Sequence, residues 1–200
     1  MVDNEYLVRN PCAKVEKIRF QAKERKALSA YELESIRFVC DNVREKALID
    51  FLFSTGCRIS ECADVRLSDI DWNTRQVTIR HGKGDKSRRV YFNAEAEVSL
   101  KAYLATRSDN HDALFVSTKA PHQPLKVHAM QNIVKAVNDR SGIEVFPHKL
   151  RHTFATFGIR SGMQLPTLQM LMGHAKPETT MIYAKLQNND LQREHERVYA

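Results

Sequence analysis

The periodicity of apolar residues is helical along most of the chain and changes most clearly between Thr74 and Phe92. There, RQVTIRH and RRVYF alternate apolar and polar residues on either side of HGKGDKS, whose glycines and aspartate favour a turn. In the flanking segments, apolar residues recur every three or four positions, as on the buried face of a helix. One β-hairpin set among helices predicts a mainly α (α+β) fold with a small sheet.

The helices before the hairpin carry their own start and stop signals. Ser29 followed by Glu32 makes a capping box for a first helix. A second helix carries an apolar stripe and is expected to end at Gly56. That stripe consists of Val43, Ala47, Leu48, Phe51 and Leu52.

Beyond the hairpin, the sequence predicts one more strand and several helices. LFVS at 114–117 is expected to be a short third strand, and Asn93 is expected to cap a helix from about Ala94 to Arg107. The remaining helical runs are 127–139, a helix that begins at Pro147, Pro166–Met172, Pro177–Ala184 and Asn189–Val198.

Composition limits the class of protein. With 200 residues, of which 42% are hydrophobic, the chain can bury a sizeable core. Its 31 Lys and Arg against 24 Asp and Glu give a net charge of +7, which indicates a polyanionic partner such as nucleic acid, although many basic proteins have none. A signal peptide, a bilayer-spanning apolar run and a C-x-x-C pair are all absent from the sequence. We therefore expect a cytoplasmic protein with reduced thiols.

The first 27 residues differ from the rest of the chain. They have weak periodicity, an Asn10-Pro11 break and the basic run KVEKIRFQAKERK. We expect residues 1–27 to form a linker or arm, and residues 28–200 to form the folded domain with a C-terminal tail at about 187–200.

The stretch FPHKLRHTFAT, residues 146–156, places two histidines and an arginine near the start of one helix. An apolar stripe on this helix must face the core; it consists of Leu150, Phe154 and Phe157. Each helical residue advances about 100°, so His148, Arg151 and His152 fall about 100° to 200° away from Leu150. We predict that these three side chains project from a rigid helix away from the core.

Two chemical interpretations of this cluster compete. His148 and His152 have the spacing of a helical zinc pair, but Lys149 stands where a metalloprotease helix has glutamate, and Lys149 and Arg151 would repel a cation. In the other interpretation, Arg151 is a bidentate phosphate donor and His148 is an acid or base one turn away. The second pair suits phosphoryl transfer.

A site for a phosphodiester needs further groups on other elements. STGCRISEC supplies Arg58 after a glycine-terminated helix, and HGKGDKSRRV supplies Lys83 at the hairpin tip. MGHAKPETTMIYAK supplies His174 and, nine residues later, Tyr183. Taken singly, such residues are more often structural or solvated than functional.

Taken together and in chain order, these segments resemble the catalytic domain of the tyrosine recombinase (phage integrase) family. They carry, in turn, Arg58, Lys83, His148 with Arg151, His174 and Tyr183. The resemblance covers about Leu28 to Leu186 and implies that family's catalytic fold, a helical bundle with a small three-stranded antiparallel sheet. Cys57 stands where leucine or methionine is more usual, and Met172 stands where leucine is common; neither departure removes a functional group. Residues 1–27 are similar to the linker that follows an N-terminal DNA-clamping domain in this family, so we expect a fragment.

The resemblance implies a role for each group. Tyr183 attacks the scissile phosphate and forms a 3′-phosphotyrosyl enzyme, while Arg58 and Arg151 bind the non-bridging oxygens. Lys83 protonates the leaving 5′-oxygen, and His148 takes or relays the tyrosine proton.

Three further residues have supporting roles by the same resemblance. His174 adds a hydrogen bond to the phosphate, and Glu61 orients its neighbours. His152 lies beside the site in the family, but a structural hydrogen-bonding role is an equal alternative.

The implied activity is metal- and ATP-independent strand exchange on double-stranded DNA, without a cofactor, in the integration or excision of a mobile element. A chromosome-dimer resolvase of the same family and an inactive DNA-binding regulator are the alternatives. A metalloenzyme that uses His148, His152 and His174 is a third. The resemblance implies a tetramer on DNA for the full-length protein and allows a monomer for a fragment.

Overall fold

In this computed structural model, residues 26–80 and 87–173 are described. They contain seven α-helices and three short β-strands. The helices are α1 Ala30–Phe38, α2 Val43–Thr55, α3 Ile59–Asp64, α4 Ala94–Ala105, α5 Val127–Ser141, α6 Pro147–Arg160 and α7 Leu165–Met172. The strands are β1 Ile70–Asp71, β2 Gln76–Ile79 and β3 Arg88–Tyr91. The predicted fold class, mainly α with a small three-stranded antiparallel sheet, is confirmed.

The predicted helix ends at α1 and α2 are present. The Ser29 hydroxyl accepts from the Glu32 N–H at 3.2 Å, and the Glu32 carboxylate accepts from the Ser29 N–H at 2.7 Å. Gly56 ends α2 in the left-handed region, with φ of 60°. A Cβ at Gly56 would lie 2.2 Å from the Phe154 ring, so both the backbone and the packing call for glycine there.

The hairpin is confirmed, but the third strand of the sheet is not the predicted one. Val77 of β2 lies opposite Val90 of β3, and both are buried. The sheet is completed by β1, which pairs with the other edge of β2. The prediction of a strand at 114–117 is wrong, since this segment makes only an isolated bridge from Val116 to Pro124.

LFVS is an apolar run that is buried without joining the ladder of the sheet. Residues 114–116 are buried, and the Val116 N–H donates to the Tyr103 hydroxyl oxygen at 3.0 Å. A short apolar run indicates burial, but it does not by itself identify a hydrogen-bonded ladder.

Two apolar clusters position the helices. The larger one surrounds α2, whose Leu48 and Phe51 are fully buried, and it includes Leu150 of α6. The smaller one joins the C-terminal half of α6 to α7 through Ala155, Ile159, Leu168 and Met172. Phe154 and Phe157, predicted to face the core, are only half-buried. Helix α6 is therefore covered on more than one side.

Several predictions concern parts of the chain that are outside the described residues. They are the arm within residues 1–25, the hairpin tip at 81–86, and the helical runs Pro177–Ala184 and Asn189–Val198. None of the described helices is long and apolar enough to cross a membrane. Cys57 and Cys62 are buried free thiols.

Candidate active site

Arg151 of α6 is a buried residue, and the prediction that it projects away from the core is wrong. Only 4% of its surface is exposed. Its guanidinium donates to the carbonyl of Gly56 and, at 2.6 Å, to the carbonyl of Met172. The helical angles of α6 accounted for one packed face only, whereas the end of α7 covers a second flank of α6 and buries Arg151.

The two carbonyls that hold Arg151 lie at the C-terminal ends of α2 and α7. Carbonyls in the last turn of a helix lack intrahelical donors and carry partial negative charge, so they stabilise a cation. Burial, followed by the positive charge of Arg58, lowers the pKa of Arg151 to about 10. At neutral pH the guanidinium stays protonated and is held between two helix ends.

Arg58 reaches the same end of α7 from another direction. It precedes α3 as the N-cap residue, and its side chain donates to Glu61 Oε1 at 2.8 Å. Its other terminal nitrogen donates to the carbonyl of Gly173 at 3.2 Å. About a third of the side chain, 32%, is exposed, so Arg58 connects the buried cluster to solvent.

Glu61 is the buried carboxylate of this cluster. Its two oxygens accept from Arg58 and from both terminal nitrogens of Arg88, each of the Arg88 bonds being 2.8 Å long. Burial raises the pKa of Glu61, but the hydrogen bonds from Arg88 and from the Arg58 backbone outweigh it and lower the pKa to about 2. Glu61 is therefore ionised at neutral pH.

Arg88 was missed by the sequence reasoning. Besides Glu61, it contacts α7, because its Nε donates to the carbonyl of Leu171 at 2.9 Å. A signal was present: alternation along β3 puts Arg88 on the same face as Val90, which is buried. An arginine on the packed face of a strand needs acceptors, and Glu61 and Leu171 supply them.

The end of α7 is thus bound by three arginines from three other elements. Arg88, Arg151 and Arg58 donate to the successive carbonyls of Leu171, Met172 and Gly173. These carbonyls directly precede His174 in the sequence. The fold therefore gathers cations of α3, β3 and α6 beside the segment that leads to two other predicted site residues.

The two histidines of α6 lie on its first turns. His148 is exposed and His152 is half-buried. Within residues 26–80 and 87–173, no three His, Cys, Asp or Glu side chains are grouped so that they could hold a metal ion. Lys83, His174 and Tyr183 lie outside the described residues, so their roles stay predictions.

Comparison with known proteins identifies the family. The sequence model of the phage integrase family matches residues 19–190, and the chain belongs to that family. It is 33% identical to tyrosine recombinase XerA of Pyrococcus horikoshii over 83% of this chain and 59% of the relative. It is 33% identical to XerA of Saccharolobus solfataricus over 94% of this chain and 60% of that relative. It is 32% identical to tyrosine recombinase XerC of Listeria welshimeri over 91% of this chain and 65% of that relative. The chain thus spans less than two thirds of the length of these relatives.

Solved structures share the fold. A crystal structure of XerA recombinase matches with a TM-score of 0.75 at 29% identity. The match covers 90% of this chain and 67% of the XerA chain. XerH recombinase in a pre-cleavage complex with its difH substrate has a TM-score of 0.69 at 26% identity, over 90% of this chain and 56% of the XerH chain. A lambda integrase dimer bound to a COC′ core site has a TM-score of 0.72 at 16% identity, over 88% of this chain and 67% of the lambda integrase chain. The last likeness concerns the fold alone.

Proposed function

We propose that this chain is the catalytic part of a site-specific DNA recombinase that cleaves and rejoins strands through a 3′-phosphotyrosyl intermediate. The observation that carries the proposal is the convergence of Arg58 and Arg151 on the carbonyls of Gly173 and Met172. Two guanidiniums held at one helix end suit a phosphate that gains charge in its transition state. Membership of the phage integrase family supports the same conclusion.

The reaction balances without an added energy source. The Tyr183 oxygen forms a bond to phosphorus as the bond from phosphorus to the 5′-oxygen breaks. The tyrosine proton goes to His148, directly or by relay, and Lys83 gives a proton to the leaving oxygen. Attack by the 5′-hydroxyl of a second strand reverses these steps and joins the strands. One ester bond replaces another in each step, so ATP is not required.

Arg151 is buried and held in place before DNA binds. Its guanidinium is already fixed by two carbonyls, so it need not reorganise when charge develops on the phosphate. Arg58, which is partly exposed, is the arginine better placed to meet incoming DNA. With two arginines, Lys83 and two histidines around the phosphate, the positive charge comes from side chains and no divalent metal is needed.

The partner that we propose is double-stranded DNA, and the full-length protein is proposed to act as a tetramer on paired sites. For the biological role we propose integration and excision of a mobile element. A chromosome-dimer resolvase would use the same strand chemistry, and several relatives carry the names XerA and XerC. The arm sequences of trapped DNA, once located in the host genome, separate these roles, because element ends and a single chromosomal site differ in number and position.

The test is covalent trapping on nicked DNA. The chain is incubated with a pool of nicked duplexes that carry randomised inverted arms, and the products are separated under denaturing conditions. We expect a protein–DNA adduct from the wild type and from the control Tyr91→Phe, which alters an exposed tyrosine of β3. Tyr183→Phe should bind DNA but give no adduct. An adduct from Tyr183→Phe at the wild-type level would reject the proposed nucleophile.

A further inference from the structure

We propose that Arg88 is a positioning residue, which acts through Glu61 to orient Arg58 toward the phosphate. Because Arg88 also binds the end of α7, it holds Arg58 at a fixed place relative to that helix end. The proposal deepens the proposed recombinase function and rests on it. Arg88 has no role in the sequence prediction, and it is not expected to touch the phosphate itself.

Arg88 fixes the orientation of Glu61, which in turn holds Arg58. Arg88 grips both oxygens of Glu61 through its two terminal nitrogens, a planar fork that fixes the carboxylate plane. The same two oxygens hold Arg58, since Oε1 accepts from its Nη1 and Oε2 accepts from its backbone N–H at 2.7 Å. The orientation of Arg58 therefore depends on Glu61, and that of Glu61 depends on Arg88.

Arg88 also balances the charge of Glu61. A buried carboxylate facing a single arginine would neutralise it and lower its attraction for a phosphate. Arg58, Arg88 and Glu61 together carry one net positive charge, because two guanidiniums share one carboxylate. Arg88 thus supplies the countercharge of Glu61 and leaves the partly exposed Arg58 cationic toward solvent.

Arg88 contacts the end of α7 as well. The Arg88 side chain lies against Gly173, where an added Cβ would be 2.9 Å from both Cζ and Nε of the guanidinium. Its Nε also binds the carbonyl of Leu171. One side chain thus contacts Glu61 of α3 and the turn that precedes His174, so it can set both parts of the site relative to each other.

A purely structural ion pair is the competing explanation, and the chain offers a matched control for it. Arg37 is 9% exposed at its side chain and pairs with Asp50, whereas Arg88 is 12% exposed and pairs with Glu61. The Arg37 partners are Glu34, Asp50 and Glu95, which belong to α1, α2 and α4. Arg37→Gln therefore reports the loss of a buried ion pair without disturbing Arg58.

The first measurement observes Arg58 without DNA. Spectra of the chain labelled with ¹⁵N-arginine are recorded, and the Arg58 Nε–H signal is assigned with Arg58→Lys. In Arg88→Gln we expect that signal to move and the rotation of its guanidinium to become faster; in Arg37→Gln it should stay in place. An Arg58 signal unchanged in Arg88→Gln would overturn the proposal.

The second measurement is single-turnover cleavage of the nicked duplex trapped by the wild type. We expect Arg88→Gln to slow cleavage about 100-fold, the scale for a misplaced catalytic group. Arg88→Lys keeps the charge but not the fork, so it should rescue cleavage only in part. The Kd for the duplex should change far less, since many phosphates contribute to binding.

The outcomes separate the two proposals. Equal cleavage losses in Arg88→Gln and Arg37→Gln, at equal loss of Tm, would reduce Arg88 to a structural ion pair and overturn the inference. Wild-type chain that traps no DNA, or Tyr183→Phe that traps it normally, would reject the proposed function. In that case the Arg58 spectrum still decides whether Arg88 orients Arg58.

Discussion

Replacing Gly56 by alanine should destabilise the chain by about 3 kcal/mol, which is more than its backbone conformation alone explains. The left-handed conformation at φ of 60° costs an alanine about 1 kcal/mol. The new methyl group would also overlap the Phe154 ring at 2.2 Å, and relief of such overpacking costs about 1–3 kcal/mol.

A matched glycine isolates the second contribution. Gly142 ends α5 with φ of 65°, and a Cβ there would have no atom within 4 Å. Gly142→Ala should therefore cost only the backbone part, about 1 kcal/mol. Urea unfolding of both variants, followed by circular dichroism, gives the difference. Equal losses of unfolding free energy in the two variants would refute the steric argument and with it the packing of Phe154 over the end of α2.

Three further predictions concern the arginine cluster. Glu61 has its pKa lowered from 4.5 to about 2, so it stabilises the fold above pH 4.5, and this contribution of about 3 kcal/mol should be lost as the pH falls toward 2. Measured by urea unfolding between pH 6 and 2.5, the free energy of unfolding should fall more steeply with falling pH in the wild type than in Glu61→Gln; an equal pH dependence in the two proteins would contradict an ionised Glu61. Gly173→Ala should move the Arg88 Nε–H signal in ¹⁵N-arginine spectra because its Cβ would lie 2.9 Å from that nitrogen, whereas Gly142→Ala should leave it in place; an unmoved signal in Gly173→Ala would count against the contact. Arg151→Met should lower the free energy of unfolding by about 3 kcal/mol or more, since two buried carbonyls lose their charged donor; a loss below 1 kcal/mol would mean that these bonds are replaced by water.

The parts of the fold that follow from local sequence were predictable. The Ser29 and Glu32 capping box, the glycine end of α2 and the hairpin strands depend on residues a few positions apart, and each was confirmed. The third strand depends on a pairing partner, which the LFVS run does not contain. The apolar pattern of LFVS led to the prediction of a strand, but it carries no information about which segment the run would pair with.

In the candidate site, too, residues within short motifs were predictable, whereas contacts between elements far apart in the chain were not. The resemblance of its motifs to the family implied Arg58, Glu61 and Arg151, but a helical wheel could not show that α7 packs over Arg151. The binding of Arg88 to Leu171 joins residues 83 positions apart, and no periodicity of either segment specifies it. Such contacts form only when α3, β3, α6 and α7 meet.

The central claim is that Tyr183 forms a covalent bond to DNA phosphate. The most direct measurement is mass spectrometry of the trapped adduct after digestion with nuclease and trypsin. We predict a nucleotide remnant joined through phosphate to Tyr183, and none on the control residue Tyr91. A remnant on any other side chain, with Tyr183 unmodified, would contradict the account.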